Sequence, residues 1–351
     1  MKLSRAILGV SFDGLAISGI VGEFVNVAAV LRAGGARVLL DLGFDITLGR
    51  TPRTDRVFLP SWVTVIRALG DTLPSTYGAD LVDEVFSRVV AGTSVREAGI
   101  YDEVCRELAA LLVSTLEREN VHLLIVENGT LPDNPLITEA LVLAIQEYGS
   151  RHGLGKYVLW RDADLMWSVE PHLYGEYPYP GVRKPQRHPH IHYAVVTEWM
   201  RRRMEAWAPG PVYHVIPNRF FSTEARRTSP RSLRRSYRIP EDAYLVARCT
   251  RIIPQKSIER DLRLFHEIQR RLEHSGDPRR IYLFVSGPVG EDPGEYERLH
   301  EIETTLAIAG QVVWADGLRS MLSYMPSDET RFTIGDVLAE SDLSSFLTTY
   351  D

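Results

Sequence analysis

Residues 6–41 read AILGVSFDGLAISGIVGEFVNVAAVLRAGGARVLLD, and this stretch decides the fold. Ala6–Phe12 is short and apolar and is followed by Asp13-Gly14, which predicts a buried strand. Beyond a loop holding Gly14, Gly19 and Gly22, the residues Phe24, Val27, Ala28 and Leu31 recur at spacings of 3, 4 and 7. That period predicts an amphipathic helix, and Gly34-Gly35 ends it. Arg37–Asp41 is the next apolar strand. Strand, helix and strand in immediate succession make a βαβ unit, whose parallel strands belong in a sheet covered on both faces.

The alternation continues outward. Val104, Leu108, Leu111 and Leu112 mark a helix, Val121–Val126 a strand, Ile137–Tyr148 a helix and Tyr157–Trp160 a strand. Strands over Tyr193–Thr197 and Val212–Ile216 enclose a helix at 198–207, with Thr197 as its N-cap. After Pro217-Asn218 comes an arginine-rich stretch with few apolar residues, bearing Arg219, Arg226, Arg227, Arg231, Arg234, Arg235 and Arg238. It reads as a linker plus a solvated surface helix. A second βα series follows. Strands are expected at Tyr244–Arg248, Ile281–Ser286, Val312–Trp314 and Leu343–Leu347. The helices between them are one capped by Ser257 and bearing Ile258, Leu262, Phe265 and Leu272, one at 294–307, and one at 333–340 capped by Thr333. The expected architecture is α/β, with two Rossmann-like domains at 1–217 and 218–351.

Length and composition agree. At about 150 residues per domain, 351 residues suggest two domains. The 44% hydrophobic and 25% charged content excludes disordered and collagen-like chains. The net charge of -6 argues against nucleic acid as a partner. Cys105 and Cys249 lie far apart in apolar runs, so they form no disulfide framework and a reducing, cytoplasmic compartment is expected. The N-terminal apolar run is too short for a signal peptide, and no run is long enough to span a membrane, which leaves peripheral membrane association open. The chain ends at SFLTTYD, straight after an apolar run. The second domain then holds only four strand-like runs, so its C-terminal end is expected to be incomplete, with a missing C-terminal segment or a partner chain to complete it.

Several segments could carry chemistry. The loop with Gly19 and Gly22 precedes a helix whose first N–H groups are free, so it either contacts a phosphate or sugar or is a plain tight turn. Arg251 and Lys256 in CTRIIPQKSIE lie beyond the carboxyl end of a strand. They read as a diphosphate site or as two solvated cations. Gly287 and Gly290 in SGPVGEDPGEYE line a ligand site or simply serve a turn. Asp162 and Asp164 in WRDADLMW stand two apart at a strand end, with Arg161 placed to neutralise one of them. Such a pair can do acid–base work or hold a metal, or it caps its own loop. His188, His190 and His192 alternate, but no carboxylate or cysteine lies near them in sequence and Pro189 interrupts the run, so no metal site is assigned.

Taken together, the glycine loop, VENGTLPDNPLITEAL at 126–141, RDADLMW at 161–167, VVTEWMRRRM, VIPNRF, CTRIIPQKSIE, VSGPVGEDPGEYERL and DVLAESDLSSFLTTYD resemble retaining GT-B glycosyltransferases of glycosyltransferase family 4. The resemblance implies two Rossmann-like domains facing a cleft. It implies transfer of a hexose from a UDP- or GDP-sugar, with retention, to a small polar molecule or a glycan. No cofactor and no metal are implied. Arg251 and Lys256 would bind the donor diphosphate, and Gly19 and Gly22 would approach acceptor or phosphate. Asp164 becomes the catalytic candidate, while Asn128, Asn134 and Asp162 line the acceptor or sugar side. Ala163 stands where the related bacterial text has a histidine, and the family's Glu-x7-Glu element would begin after Asp351. Either Asp162 or Asp164 substitutes for that histidine or activity is reduced, so beside the enzyme stands the alternative of a catalytically impaired, glycosyltransferase-like binding or regulatory protein.

Overall fold

The computed structural model describes residues 5–11, 19–43, 59–66, 69, 81, 84–85, 87–89, 91–97, 99–131, 135–165, 167, 182–218, 232–287, 289, 292–315, 332 and 334–345. Backbone contacts divide the chain into two compact units, one up to residue 220 and one from 221.

The first unit is built on β1 (Ala6–Val10), α1 (Gly19–Leu31), β2 (Arg37–Asp41), β3 (Val63–Ile66), α2 (Tyr101–Glu119), β4 (Val121–Glu127), α3 (Pro135–Arg151), β5 (Val158–Asp162), β6 (Ile191–Val195), α4 (Glu198–Trp207) and β7 (Tyr213–Val215). Its seven strands lie in the order β3-β2-β1-β4-β5-β6-β7, and every pair is parallel. Successive strand residues point to opposite faces, and both faces are covered. On β4, Leu124 and Val126 pack into one core with α2 and α3 residues such as Leu108 and Ile137. Ile125 between them packs into the other core, with Phe24 and Ala28 of α1. This is why β4 reads as an unbroken apolar run rather than an alternating one.

The second unit comprises α5 (Leu233–Ser236), β8 (Tyr244–Arg248), α6 (Ile258–His274), β9 (Ile281–Val285), α7 (Pro293–Thr305), β10 (Val312–Trp314), α8 (Ile334–Glu340) and β11 (Leu343–Ser344). The strand order is β10-β9-β8-β11, again all parallel. Leu245 and Ala247 of β8 face one core, while Tyr244 and Val246 pack against the other.

Several local expectations need correction. The first strand stops at Val10, short of Phe12. Leu31 is exposed, and Val21 and Val25 join Phe24 and Ala28 on the buried face of α1. Thr197 does cap α4, its Oγ1 accepting from the Met200 N–H at 3.1 Å. Ser257 does not cap α6: its backbone is left-handed at φ 48° and its side chain makes no cap bond. Arg234 is buried rather than solvated. It donates to the carbonyls of Pro240 and Ala243 and pairs with Asp342 at 3.0 Å, so it ties α5 to the segment before β11. The last strand is seen at Leu343–Ser344. Thr333 and residues 346–347 lie outside the described residues.

Candidate functional site

In each sheet the strand order reverses beside the first strand of the unit, between β1 and β4 in one and between β8 and β11 in the other. Ligands of open α/β sheets bind beyond the carboxyl ends of the strands at such switch points. Both edges carry polar residues.

At the edge of the first sheet, β4 ends in Glu127 and β5 ends in Arg161-Asp162. Glu127 and Arg161 are direct partners in the β4–β5 register. The Arg161 Nε donates to Glu127 Oε2 at 2.9 Å, and its Nη1 lies 3.5 Å from Glu23 Oε2 of α1 and donates to Asn218 Oδ1 at 3.2 Å. Arg161 thus engages Glu127, Glu23 and Asn218, not Asp162 or Asp164 as the spacing suggested. The reason is register: the strand pairing brings a carboxylate 34 residues away opposite the guanidinium. Both side chains are about 1% exposed. Glu127 Oε1 and Arg161 Nη2 have no hydrogen-bond partner among the described residues. Burial pushes the Glu127 carboxyl up to about 7 against the pull of Arg161.

Asp162 is held separately. Its Oδ1 accepts from the Thr130 N–H at 3.1 Å, and its Oδ2 accepts from the Thr130 hydroxyl. The Trp160 indole donates to that same hydroxyl at 3.2 Å. Burial pushes Asp162 up to about 6, opposed by the Thr130 hydrogen bonds. Gly129 permits this arrangement, because a Cβ there would lie 2.4 Å from the Trp160 ring.

Asn128 is buried in a left-handed conformation at φ 55°, which asparagine tolerates better than most residues. Its Nδ2 donates to Asp164 Oδ2 at 3.0 Å, and its Oδ1 accepts from the Ala163 N–H at 2.6 Å. Asn128, Asp162 and Asp164 therefore share one cluster, with Asp164 its half-buried and more accessible carboxylate. Gly19 opens α1 at the surface, Gly22 is buried in its first turn, and the next residue, Glu23, reaches Arg161. Asn134 lies outside the described residues.

The edge of the second sheet is different. Arg248, the last residue of β8, forms a buried ion pair with Asp261 at 3.0 Å. It also donates to the carbonyls of Ser345, at 3.0 Å, and of Lys256. Asp261 in turn accepts from the Ser345 hydroxyl. These bonds fix the loop carrying Arg251 and Lys256, both half-buried, against the ends of β8 and β11. Gly287 is required by packing. A Cβ there would meet the Thr250 carbonyl oxygen at 2.3 Å, so the glycine lets the loop after β9 lie against 250–252. Gly290 lies outside the described residues.

Glu23, Glu127, Thr130 and Asn218 were not singled out from the sequence. A glutamate closing an otherwise apolar strand, as in VHLLIVE, was the available signal. It places a carboxylate at the edge where ligands bind. The histidine run gathers no metal cluster with a carboxylate or cysteine among the described residues. His188 packs by His190 and His192 by His214.

Solved structures resemble the fold of this chain over nearly its whole length. WaaG, a glycosyltransferase involved in lipopolysaccharide biosynthesis, matches with a TM-score of 0.56 at 12% identity, covering 97% of this chain and 75% of that one. The sucrose-phosphate synthase of Thermosynechococcus elongatus matches with a TM-score of 0.56 at 12% identity, over 99% of this chain and 76% of the other. A UDP-forming trehalose-phosphate synthase from Burkholderia xenovorans gives 0.52 at 12% identity, over 99% and 88%. The fold is α/β and GT-B-like. No protein-family model matches the sequence, and no curated protein is similar to it in sequence. At this level of identity the likeness establishes the fold of two Rossmann-like units.

Proposed function

We propose that the protein is a glycosyltransferase that moves a hexose from a UDP- or GDP-sugar to a polar hydroxyl-bearing acceptor, with retention at the anomeric carbon. The observation that carries this reading is the pair of carboxyl edges in a chain whose fold resembles solved glycosyltransferases: an oxygen-rich cluster on one sheet and a cation-bearing loop on the other. A carboxylate and an amide oxygen suit sugar hydroxyls, whereas an arginine and a lysine suit a diphosphate.

In this mechanism the bond between the anomeric carbon and the diphosphate oxygen breaks, its electron pair leaving on that oxygen; the acceptor hydroxyl oxygen bonds to the carbon from the same face, and the hydroxyl proton passes to the departing diphosphate oxygen. Negative charge grows on the leaving nucleoside diphosphate. Arg251 and Lys256 stabilise it, and the Lys256 backbone is held in place beforehand by the Arg248 hydrogen bond to its carbonyl. Asp164, oriented by Asn128, accepts a hydrogen bond from the acceptor hydroxyl. Asn128 and Asp162 shape the sugar side, and Gly19 and Gly22 bring the α1 backbone close to acceptor or phosphate. No resident cofactor is assigned, since the sugar nucleotide is itself a substrate.

The deciding experiment is a screen of UDP- and GDP-hexoses for release of the nucleoside diphosphate, paired with calorimetry of UDP and GDP. Turnover is expected with at least one donor. Arg251→Ala and Lys256→Ala are each expected to weaken nucleotide binding about tenfold or more, the value of a charge-assisted hydrogen bond. Unchanged affinity in both variants overturns the diphosphate assignment. Binding of UDP or GDP without any turnover favours a glycosyltransferase-like binding protein instead.

A further inference from the structure

A cavity of about 560 Å³ opens at the opposite edge of the first sheet, where the chain enters β5, β6 and β7. Lys156 precedes β5, Arg187 and His188 precede β6, and Val212 precedes β7. Ile191 and Tyr193 of β6 form its buried apolar floor. The lining contains three basic side chains and no carboxylate. This is unusual on a chain of net charge -6. Arg151 and Arg201 on α3 and α4 are each held by two glutamates. Lys156 and Arg187 form no ion pair among the described residues, although both are exposed. His188 Nδ1 accepts the His190 N–H at 3.2 Å, so a neutral ring carries its proton on Nε2 and presents a donor. Burial, His190 and Arg183 hold His188 down at about 4, so the ring is neutral at pH 7. Lys156 and His214 add to burial in pushing His192, also at this edge, down.

We propose that this cavity binds a small organic monophosphate. Lys156, Arg187 and the Nε2–H of His188 hold the phosphate, and Ile191, Tyr193 and Val212 hold the organic body. Two cations and one neutral donor match a dianion with three acceptor oxygens. The volume falls in the range of small-molecule sites, roughly 300–1,000 Å³, and exceeds what a bare phosphate fills. Val212, 71% exposed, gives the ligand an apolar surface at the mouth. This site lies at the strand entrances, on the edge opposite the carboxyl cluster, and is independent of the glycosyl-transfer reading.

The test uses phenyl phosphate as the probe. It is run on the full chain carrying Arg251→Ala and Lys256→Ala, so that the other cationic pair does not contribute. Calorimetry is expected to show saturable binding at least about tenfold tighter than inorganic phosphate, with movement of the His188 ring resonances. Adding Lys156→Glu and Arg187→Glu should weaken binding more than tenfold. Val212→Glu, an exposed change that places a negative charge at the mouth, should also weaken it more than tenfold. It serves as the test if the charge-reversed pair fails to fold. Absence of saturation, or affinity unchanged by these substitutions, overturns the proposal. Equal affinity for inorganic and phenyl phosphate overturns it too, as an adventitious ion only.

Discussion

At the carboxyl edge of the first sheet Arg161 pairs with Glu127 and lies close to Glu23, next in sequence to Asp162, which Thr130 holds, and near Asp164, which Asn128 holds. At the same edge of the second sheet Arg248 pairs with Asp261 and donates to the Lys256 carbonyl, in the loop that also carries Arg251. The two sheets share one construction, parallel and covered on both faces, yet among the described residues the first edge gathers more carboxylates than the second. In each, the last strand residues supply a buried arginine paired with a buried carboxylate. The difference lies in what surrounds the pair. Surplus carboxylates raise the proton affinity of the first edge, and Glu127 and Asp162 are both pushed up, chiefly by burial.

The largest effect should come from breaking one pair at a time. Arg161→Ala strands Glu127 and Glu23 without their cation, and is expected to cost about 3–5 kcal/mol of stability in denaturant unfolding. Arg248→Ala should cost a similar amount by stranding Asp261. If either loss falls below about 1 kcal/mol, that arginine does not hold its edge together.

A smaller effect concerns pH. The folded chain holds a proton on Glu127 up to about 7 rather than the ordinary 4.5, so the protonated form favours folding. Its contribution is fully present below the unfolded value and is lost as pH rises through about 7. Glu127→Gln keeps a neutral side chain at every pH. Its melting temperature should therefore fall less steeply than that of the wild type between pH 5 and 8. Identical slopes would show that Glu127 does not titrate in that window. Asp162, pushed up to about 6, contributes with the same sign and remains in the variant.

The smallest effect separates two helix starts. Thr197→Ala removes the bond to the Met200 N–H and should cost about 1 kcal/mol. Ser257→Ala removes no cap bond and should stay within about 0.5 kcal/mol. Equal costs would mean that Ser257 caps α6 in solution.

Much of this architecture was legible in the chain. The strands β2, β8 and β10 and the helix α4 fall on the residues that apolar spacing picked out. Asp162 and Asp164 were legible as candidates because polar residues straight after an apolar strand land on its carboxyl edge, and Asn128 was reached only through the family resemblance. Their bonds were not. Thr130 rather than Arg161 holds Asp162, and Asn128 holds Asp164. Arg234 looked like one more charge in a basic linker, yet it is buried against Asp342, 108 residues on. Gly287 suggested ligand contact or a turn, while its tightest neighbour is the Thr250 carbonyl.

The sequence by itself determined the type and order of the elements, because the spacing of apolar residues is a local property that any one helix or strand must satisfy. It also determined that both sheets would be covered on two faces. Tertiary structure decided which charges meet. Glu127 faces Arg161 only because β4 and β5 pair in one register, and Arg248 faces Asp261 only because α6 packs against β8 and β9. A buried charge is stabilised by whatever the fold brings within about 3 Å, and that neighbour is set by packing between distant segments rather than by its place in the chain.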